Sequence, residues 1–272
     1  MKKIIFNASM PRSGSELFQA VISQNPEIYG SATSPLLEYQ FAARNNFELP
    51  EVRSQDPETM KSAFLNMNMG MAQSYYEPIT DKPIICDKNR GWSHYYEWVE
   101  QWNPKPKMIC MVRDLRSVVA SMERIFRKNR QNPQSIDDPA NMQNMTVGQR
   151  VNHWLNTQPV GLGLQRTLNL FETGISENIL FIRYEDFCKN PQREMDNVYE
   201  FIGEDSFKHD FKNIVKTVQE DDSHFGIFGN HSVKKSIQKP KQKDWSDVLN
   251  DEISDAIVKS AEWYFTEFNY KK

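Results

Sequence analysis

Residues 2–18, KKIIFNASMPRSGSELF, join an apolar run to a helical run through a short loop. The run KKIIFNA has the apolar, β-rich character of a buried strand, and SELFQAVISQ from Ser15 onward has the pattern of a helix. A loop between a strand and a helix directs several backbone N–H groups and the helix N-terminus toward one spot, which favours an anion. The stretch therefore predicts a phosphate or sulfate site early in an α/β fold.

The residues of this loop suit that purpose. Gly14 permits close approach of the backbone, Ser13 and Ser15 add hydroxyl donors, and Arg12 supplies a permanent charge with a forked set of donors. The Walker pattern GxxxxGK[ST] is absent, since the loop has one glycine and Arg12 precedes it. Taken alone, PRSGS is also compatible with a helix that is simply capped by Ser13 or Ser15.

Three further apolar runs, at 82–86, 105–112 and 178–184, share the strand-like character of the first, and helical patterns lie between them. Strands that alternate with helices indicate βαβ units and a parallel sheet. The even composition of the 272 residues favours a single domain that spans 1–272. The predicted fold class is therefore α/β with a central parallel sheet.

Composition excludes several classes of partner. A net charge of −3 provides no basic field for nucleic acid or an anionic membrane. The start MKKIIFNASM has an apolar run that is too short for a secretory signal. No stretch of the sequence approaches the roughly 18 consecutive apolar residues that span a bilayer. Cys86, Cys110 and Cys188 lack CxxC spacing, which favours reduced thiols over a zinc site. We expect a cytoplasmic protein without a metal centre.

Together with downstream segments, the loop resembles the PAPS-dependent sulfotransferases, where PAPS is 3′-phosphoadenosine 5′-phosphosulfate. The 5′-phosphosulfate loop of that family reads PRSGT or PKSGT after a first strand. The segment RDLRSVVASM resembles its 3′-phosphate site, with Arg113 and Ser121 at the family's spacing of eight residues. FIRYEDFCKNPQREMDNVYEFIG is similar to a third family segment, in which Tyr184 matches a nucleotide contact. SIQKPKQKDW resembles the loop that closes over the nucleotide, with Lys239 before the proline.

The resemblance implies a three-layer sandwich with a central parallel sheet, the P-loop nucleotide-hydrolase-like fold of sulfotransferases. It implies transfer of a sulfuryl group from PAPS to a hydroxyl or amine of a small-molecule, saccharide or peptide acceptor. The product nucleotide would be PAP, 3′-phosphoadenosine 5′-phosphate, and no metal would take part. The implied nucleotide-binding residues are Arg12, Ser13, Gly14, Ser15, Glu16, Arg113, Ser121, Tyr184 and Lys239.

Sulfuryl transfer needs positive charge on the departing phosphate oxygen, and Arg12 suits that role. The segment IICDKNRGW resembles the family segment that supplies a basic residue near the transferring group, which makes Lys88 the second candidate and Arg90 the third. Glu16 departs from the family, where threonine is frequent. We expect its side chain to point into solvent from the first helical turn, where the helix dipole favours negative charge.

The general base has two candidates. One branch of the family uses a glutamate shortly after the first helix, and counting from Arg12 places Thr33 there, which cannot serve. Glu38 lies just beyond and ranks first. His94 ranks second because another branch uses a histidine and because imidazole titrates near neutral pH.

Two segments are predicted to cover the site: a flap at 127–149, for which a solvated surface loop is the alternative, and a nucleotide-covering loop at about 228–245. Two other functions stay open. A kinase-like phosphotransferase is one, because PIICD resembles a strand that ends in a Mg²⁺-binding aspartate, Asp87. A catalytically inactive protein that binds PAPS or PAP is the other, because the base is uncertain.

Overall fold

A computed structural model describes residues 1–130, 142–228, 230–240 and 244–272. Within these ranges, five parallel strands form one sheet in the order β2-β3-β1-β4-β5. The predicted α/β class with a central parallel sheet is confirmed. The strands are β1 (Lys3–Asn7), β2 (Ile28–Thr33), β3 (Ile84–Lys88), β4 (Met108–Val112) and β5 (Ile179–Arg183).

Strand β2 was not predicted from the sequence. Its residues, IYGSAT, include a glycine and three small polar or weakly apolar residues, so the segment lacks the apolar run of its neighbours. The strand forms through pairing with β3, where Ile28 lies opposite Ile84. Edge strands of this kind depend on the ladder that they join more than on their own propensity.

Helices cover both faces of the sheet. The predicted helix that begins at Ser15 is present, and the aromatic segment after β3 forms a short 3₁₀ turn followed by a helix. The sequence predicts one last helix at 248–268, whereas the structure has two helices that meet at Ala261, whose φ of −135° is not helical. The helices are α1 (Ser15–Ile22), α2 (Leu36–Asn45), α3 (Pro50–Arg53), α4 (Pro57–Tyr76), α5 (Tyr96–Trp102), α6 (Leu115–Asn129), α7 (Val147–Asn156), α8 (Val160–Glu172), α9 (Tyr184–Lys189), α10 (Pro191–Ile202), α11 (Asp251–Ser260) and α12 (Glu262–Glu267).

Two apolar cores lie on opposite faces of the sheet, because successive side chains of a strand point in opposite directions. In β1, Ile4 and Phe6 belong to one core and Ile5 to the other. The first core packs against α4 and α6, and the second packs against α1 and α10. All three cysteines are buried and free, in agreement with the expectation of reduced thiols.

Only the ends of the predicted flap at 127–149 can be compared with the structure. Helix α6 continues through Asn129 and α7 begins at Val147, so both ends are helical. Residues 131–141 lie outside the described part of the chain, as do 229 and 241–243 of the predicted covering loop. No helix within the described ranges is long and apolar enough to cross a membrane.

The order of the strands positions the site. Strand β1 lies between β3 and β4, so the chain builds one side of the sheet before it builds the other. In open α/β sheets a crevice forms at such a switch point, outside the carboxyl ends of the strands. The PRSGS loop leaves β1 at this edge, and the segments that follow β3, β4 and β5 meet it there.

Candidate active site

The loop after β1 is a tight turn. Ser13 donates its hydroxyl to the carbonyl oxygen of Met10 at 2.6 Å, and its N–H points to the same oxygen at 3.4 Å. Arg12 and Gly14 have φ angles of 59° and 97°, in the left-handed region. Only glycine fits at position 14, because a Cβ there would lie 2.6 Å from Cδ2 of Tyr184. The loop thus packs its backbone directly against the tyrosine ring.

A cavity of about 550 Å³, here called cavity A, opens above this loop. Residues 14–17, at the N-terminus of α1, form part of its wall. Backbone N–H groups at the start of a helix lack partners within the helix, so they are available to an anion. Cavity A also brings together side chains from the segments that follow β4 and β5, including α6 and α9, and from the predicted covering loop, namely Arg113, Ser121, Tyr184 and Lys239.

Arg12 lines cavity A and is held there by two hydrogen bonds. Its Nε donates to Oγ of Ser121 at 3.2 Å, and its Nη1 donates to the carbonyl oxygen of Asn230 at 3.0 Å. Burial, together with the nearby charges of Arg90 and Arg113, lowers the pKa of Arg12 to about 10. The three guanidinium groups repel one another, and an anionic ligand bound among them would relieve that repulsion.

Arg113 is held from three sides. Its Nη2 pairs with Asp244 at 2.6 Å, its Nη1 donates to the carbonyl oxygen of Arg12 at 3.3 Å, and its guanidinium lies 4.6 Å from the ring centre of Tyr184. Its Nε is buried and has no partner within the described ranges. Burial raises the pKa of Tyr184 above its ordinary value, so the ring stays neutral. Arg113 therefore uses two of its five N–H donors within the protein, which leaves further N–H groups on Nη1 and Nη2 for a ligand.

Eight of the nine predicted nucleotide-binding residues line cavity A. Ser13 is the exception, because its side chain is fully buried and its hydroxyl proton is committed to the turn. The eight that line the cavity are Arg12, Gly14, Ser15, Glu16, Arg113, Ser121, Tyr184 and Lys239.

Glu16 does not point into solvent, and that expectation was wrong. Its carboxylate forms an ion pair with Lys88 and lies 3.4 Å from Nζ of Lys216. Glu220 completes the network, at 2.7 Å from Lys216 and 3.6 Å from Lys88. Burial acts to raise the pKa of Glu220, but the two lysines and the Thr33 N–H outweigh burial and lower it to about 2. The charges of these two carboxylates and two ammonium groups thus cancel beside cavity A.

This network accounts for the position of Lys88. The predicted electrostatic role requires its ammonium group to face the transferring group, yet only 6 % of Lys88 is exposed and its Nζ lies between two carboxylates. Glu16, Glu220 and His231 form the one group of metal-ligand side chains found in the described part of the chain, with donor atoms within 4.8 Å of one another. The two lysines already neutralise both carboxylates of that group.

A second cavity of about 400 Å³, here called cavity B, lies beside cavity A. Its walls combine apolar side chains such as Leu162 with the charged residues Glu38 and Arg166. Among the described residues, Arg90 and His231 line both cavities. Arg90 is solvent-accessible, yet the surrounding protein desolvates its guanidinium and lowers its pKa. The two cavities therefore meet at a cation and an imidazole.

The sequence analysis missed His231. Its Nδ1 lies 2.6 Å from Oδ1 of Asp222, and its backbone N–H donates to the same oxygen at 3.0 Å. The ring packs against Phe225 with ring centres 4.3 Å apart. An aspartate on Nδ1 fixes the ring so that Nε2 is the nitrogen that accepts protons. The only sequence signal was a histidine just ahead of the lysines of the predicted covering loop.

The two predicted bases occupy different positions. Glu38 is exposed and lines cavity B. His94 is exposed and belongs to the wall of neither cavity. Partial burial lowers the pKa of His94, and the charge of Arg166 adds to the effect. The structure thus brings Glu38, but not His94, to the edge of the site.

Asp87, the aspartate that a kinase would use for Mg²⁺, points into the apolar core. Tyr76 donates its hydroxyl to Oδ2 at 2.5 Å, and Trp92 donates its Nε1–H to Oδ1 at 2.7 Å. Asp87 is fully buried, and burial raises the pKa of its carboxyl. Both of its oxygens are therefore occupied away from cavity A.

Comparisons with known proteins agree with this fold. Residues 5–209 match the model of a family described as "Sulfotransferase family". The fold is similar to the sulfotransferase domain from the curacin biosynthetic pathway, with a TM-score of 0.53 and 18 % identity over 96 % of this chain and 97 % of that one. It is also similar to the sulfotransferase domain of the Synechococcus PCC 7002 olefin synthase, with a TM-score of 0.51 and 16 % identity over 95 % and 96 %.

A mouse sulfotransferase in complex with PAP is similar in fold, with a TM-score of 0.52 and 18 % identity over 95 % of this chain and 83 % of that one. At these identities the likeness concerns the fold. No match was found among curated protein sequences.

Proposed function

This chain belongs to the sulfotransferase family, and on that premise we propose that it moves the sulfuryl group of PAPS to a hydroxyl or amine of an acceptor by in-line displacement. The meeting of cavities A and B at Arg90 and His231 carries the proposal. A donor in one cavity and an acceptor in the other would bring their reacting atoms to this junction. Proximity of this kind supplies a large part of the rate of a two-substrate reaction.

The donor fits cavity A. The left-handed Gly14 and the helix N-terminus form a cradle for the 5′-phosphosulfate, and the guanidinium of Arg113, which lines cavity A beside Ser121, suits the 3′-phosphate. The structure of the mouse sulfotransferase contains PAP, which supports the same class of nucleotide here. ATP lacks a 3′-phosphate, so a site for that group distinguishes PAPS from ATP.

His231 suits the role of general base. In this role its Nε2 accepts the proton of the acceptor hydroxyl, while Asp222 holds the ring at Nδ1 and stabilises the imidazolium that forms. The acceptor oxygen bonds to sulfur as the bond from sulfur to the 5′-phosphate oxygen breaks. Arg12 and Arg90 lie where they would stabilise the charge that develops on the departing oxygen and on the sulfonate.

The kinase alternative has less support. The Walker lysine is absent from the loop, and the one aspartate proposed for Mg²⁺ is committed to Tyr76 and Trp92 in the core. The hypothesis of an inactive binding protein also has less support. It arose because no base was evident in the sequence, and His231, held by Asp222, is a candidate for that base.

Sulfur-labelled PAPS tests the function. We expect label to pass to one or more members of a panel of alcohols, phenols, amines, sugars and peptides, with PAP as the second product. The same panel with γ-labelled ATP and Mg²⁺ is the control. Transfer of phosphate without transfer of sulfate would contradict the proposal and favour a kinase. Normal binding of PAP with no transfer to any acceptor would favour the inactive binding protein.

Arg113→Ala tests the 3′-phosphate site. We expect the affinity for PAP to fall by about 1.5–3 kcal/mol, or about 10- to 150-fold, because a charge-assisted hydrogen bond is lost. Isothermal calorimetry with PAP measures the change. Arg193→Ala is the matched control, since Arg193 is on α10 and its side chain is 71 % exposed. Unchanged affinity in Arg113→Ala would remove this residue from the site.

A further inference from the structure

We propose that the acceptor carries a second, anionic group, such as a carboxylate, which docks on Arg166 in cavity B. This inference deepens the proposed function and rests on it. Nothing in the family match or in the similar structures assigns a role to Arg166. Three features of the molecule support the role: the placement of the Arg166 guanidinium, the ion pairs of Arg150 and Arg116, and the composition of the cavity wall.

Arg166 lies on α8 and its guanidinium reaches the wall of cavity B. Its Nη1 donates to the carbonyl oxygen of Arg90 at 3.4 Å, which holds the side chain toward the junction of the cavities. Its Nε is buried and has no partner within the described ranges. A guanidinium has five N–H donors in a rigid fork, so most of its capacity stays available to a ligand.

Two other partly buried arginines of this chain, Arg150 and Arg116, each have a carboxylate partner. Arg150 pairs with Glu123 at 2.6 Å and Arg116 pairs with Asp114 at 2.6 Å. No carboxylate of the described residues lies within ion-pair distance of Arg166. A desolvated cation without a counter-ion costs free energy, and the cost is recovered only when an anion binds. A ligand anion would complete the pair that the protein leaves open.

The charges around cavity B favour the same conclusion. Arg90, Arg166 and His231 contribute basic groups to its wall, and Glu38 contributes the one carboxylate found there. Burial lowers the pKa of Arg166 despite the nearby charge of Glu38. Pro11 and Leu162 add apolar surface. A volume of about 400 Å³ suits a small organic acceptor whose anion meets Arg166 and whose hydroxyl meets His231.

A matched pair of probes isolates the charge. 4-(Hydroxymethyl)benzoate and 4-(hydroxymethyl)benzamide have nearly the same shape and the same hydroxyl, but only the first is an anion. Binding is measured by calorimetry on protein saturated with PAP, so that cavity A and its cations are already occupied. We expect the wild-type protein to bind the benzoate at least about tenfold more tightly than the benzamide.

Arg166→Gln removes the charge and keeps much of the side chain. We expect its affinities for the two probes to agree within about twofold, with the benzamide bound as in the wild type, whereas Arg166→Lys retains part of the preference for the anion. Arg193→Gln, an exposed arginine on α10, serves as the control that keeps the full preference. Normal affinity for PAP verifies that each variant is folded.

Two outcomes overturn the inference. One is equal affinity of the wild-type protein for the two probes, including the absence of measurable binding of either. The other is a preference for the benzoate that survives in Arg166→Gln. Failure of the proposed function is distinguished by adding labelled PAPS: binding of the benzoate that depends on Arg166, without transfer of label to any acceptor, supports the anion site and contradicts the sulfotransferase activity.

Discussion

His231→Asn lowers the rate constant of sulfuryl transfer by about 10²- to 10⁴-fold, the range expected for loss of a general base. The asparagine amide fills similar space and can still contact Asp222, but it cannot accept the proton of the acceptor. The affinity for PAP should change by less than about threefold, because the imidazole lies where cavities A and B meet and is not part of the phosphate-binding loop after β1. Single-turnover transfer from labelled PAPS and calorimetry with PAP measure the two quantities.

Three further variants separate the candidate bases. Asp222→Asn should lower the rate less than His231→Asn, since it leaves the imidazole but loses the group that orients it. His94→Asn should have the activity of the wild type, because His94 lies outside both cavities. If Glu38→Gln abolishes transfer and His231→Asn does not, the assignment of the base to His231 is wrong.

Arg12→Gln lowers the rate constant of transfer by about 10²- to 10³-fold, the magnitude typical of removing one preorganised donor to a developing anion. Glutamine keeps the unbranched side chain and the left-handed backbone at position 12, so the turn after β1 is under the same strain. The loss should exceed the loss in PAP affinity, because the charge on the departing oxygen is largest in the transition state. Comparing the two losses requires transfer kinetics and calorimetry on the same preparation.

Arg53→Gln provides the control for Arg12→Gln, since Arg53 is 72 % exposed and lies on α3. It should match the wild-type protein in both measurements. An equal loss of rate and of PAP affinity in Arg12→Gln would mean that Arg12 binds ground state and transition state alike. Arg12 would then be a binding residue and not a catalytic one.

Much of the wall of cavity A was predictable because its signals are local. The loop, its glycine and its arginine follow one another, and their order dictates the turn and the helix N-terminus. Arg113 and Ser121 are on one short segment, so a single spacing relates them. Tyr184 required the resemblance to a family, because nothing local says that its ring packs on Gly14.

The charge network and the proposed base, His231, were not predictable in the same way. Glu16 and Lys88 are 72 residues apart, and Glu220 joins them from a segment much later in the chain. The sequence suggested that Glu16 faces solvent and that Lys88 faces the ligand, and pairing between the two changed both assignments. Each residue was judged from its neighbours in sequence, whereas its charge is satisfied by neighbours in space.

By itself, the amino-acid sequence determined the α/β class, four of the five strands and the turn that leads from β1 into the N-terminus of α1. These features follow from apolar periodicity and from the chemistry of adjacent residues, which short stretches of chain already contain. Only the tertiary structure decided that Glu16 neutralises Lys88, that β2 joins the edge of the sheet, and that Arg90 and His231 share two cavities. Those depend on how distant segments meet at the carboxyl edge of the sheet, and burial there makes each charge depend on its partners in space.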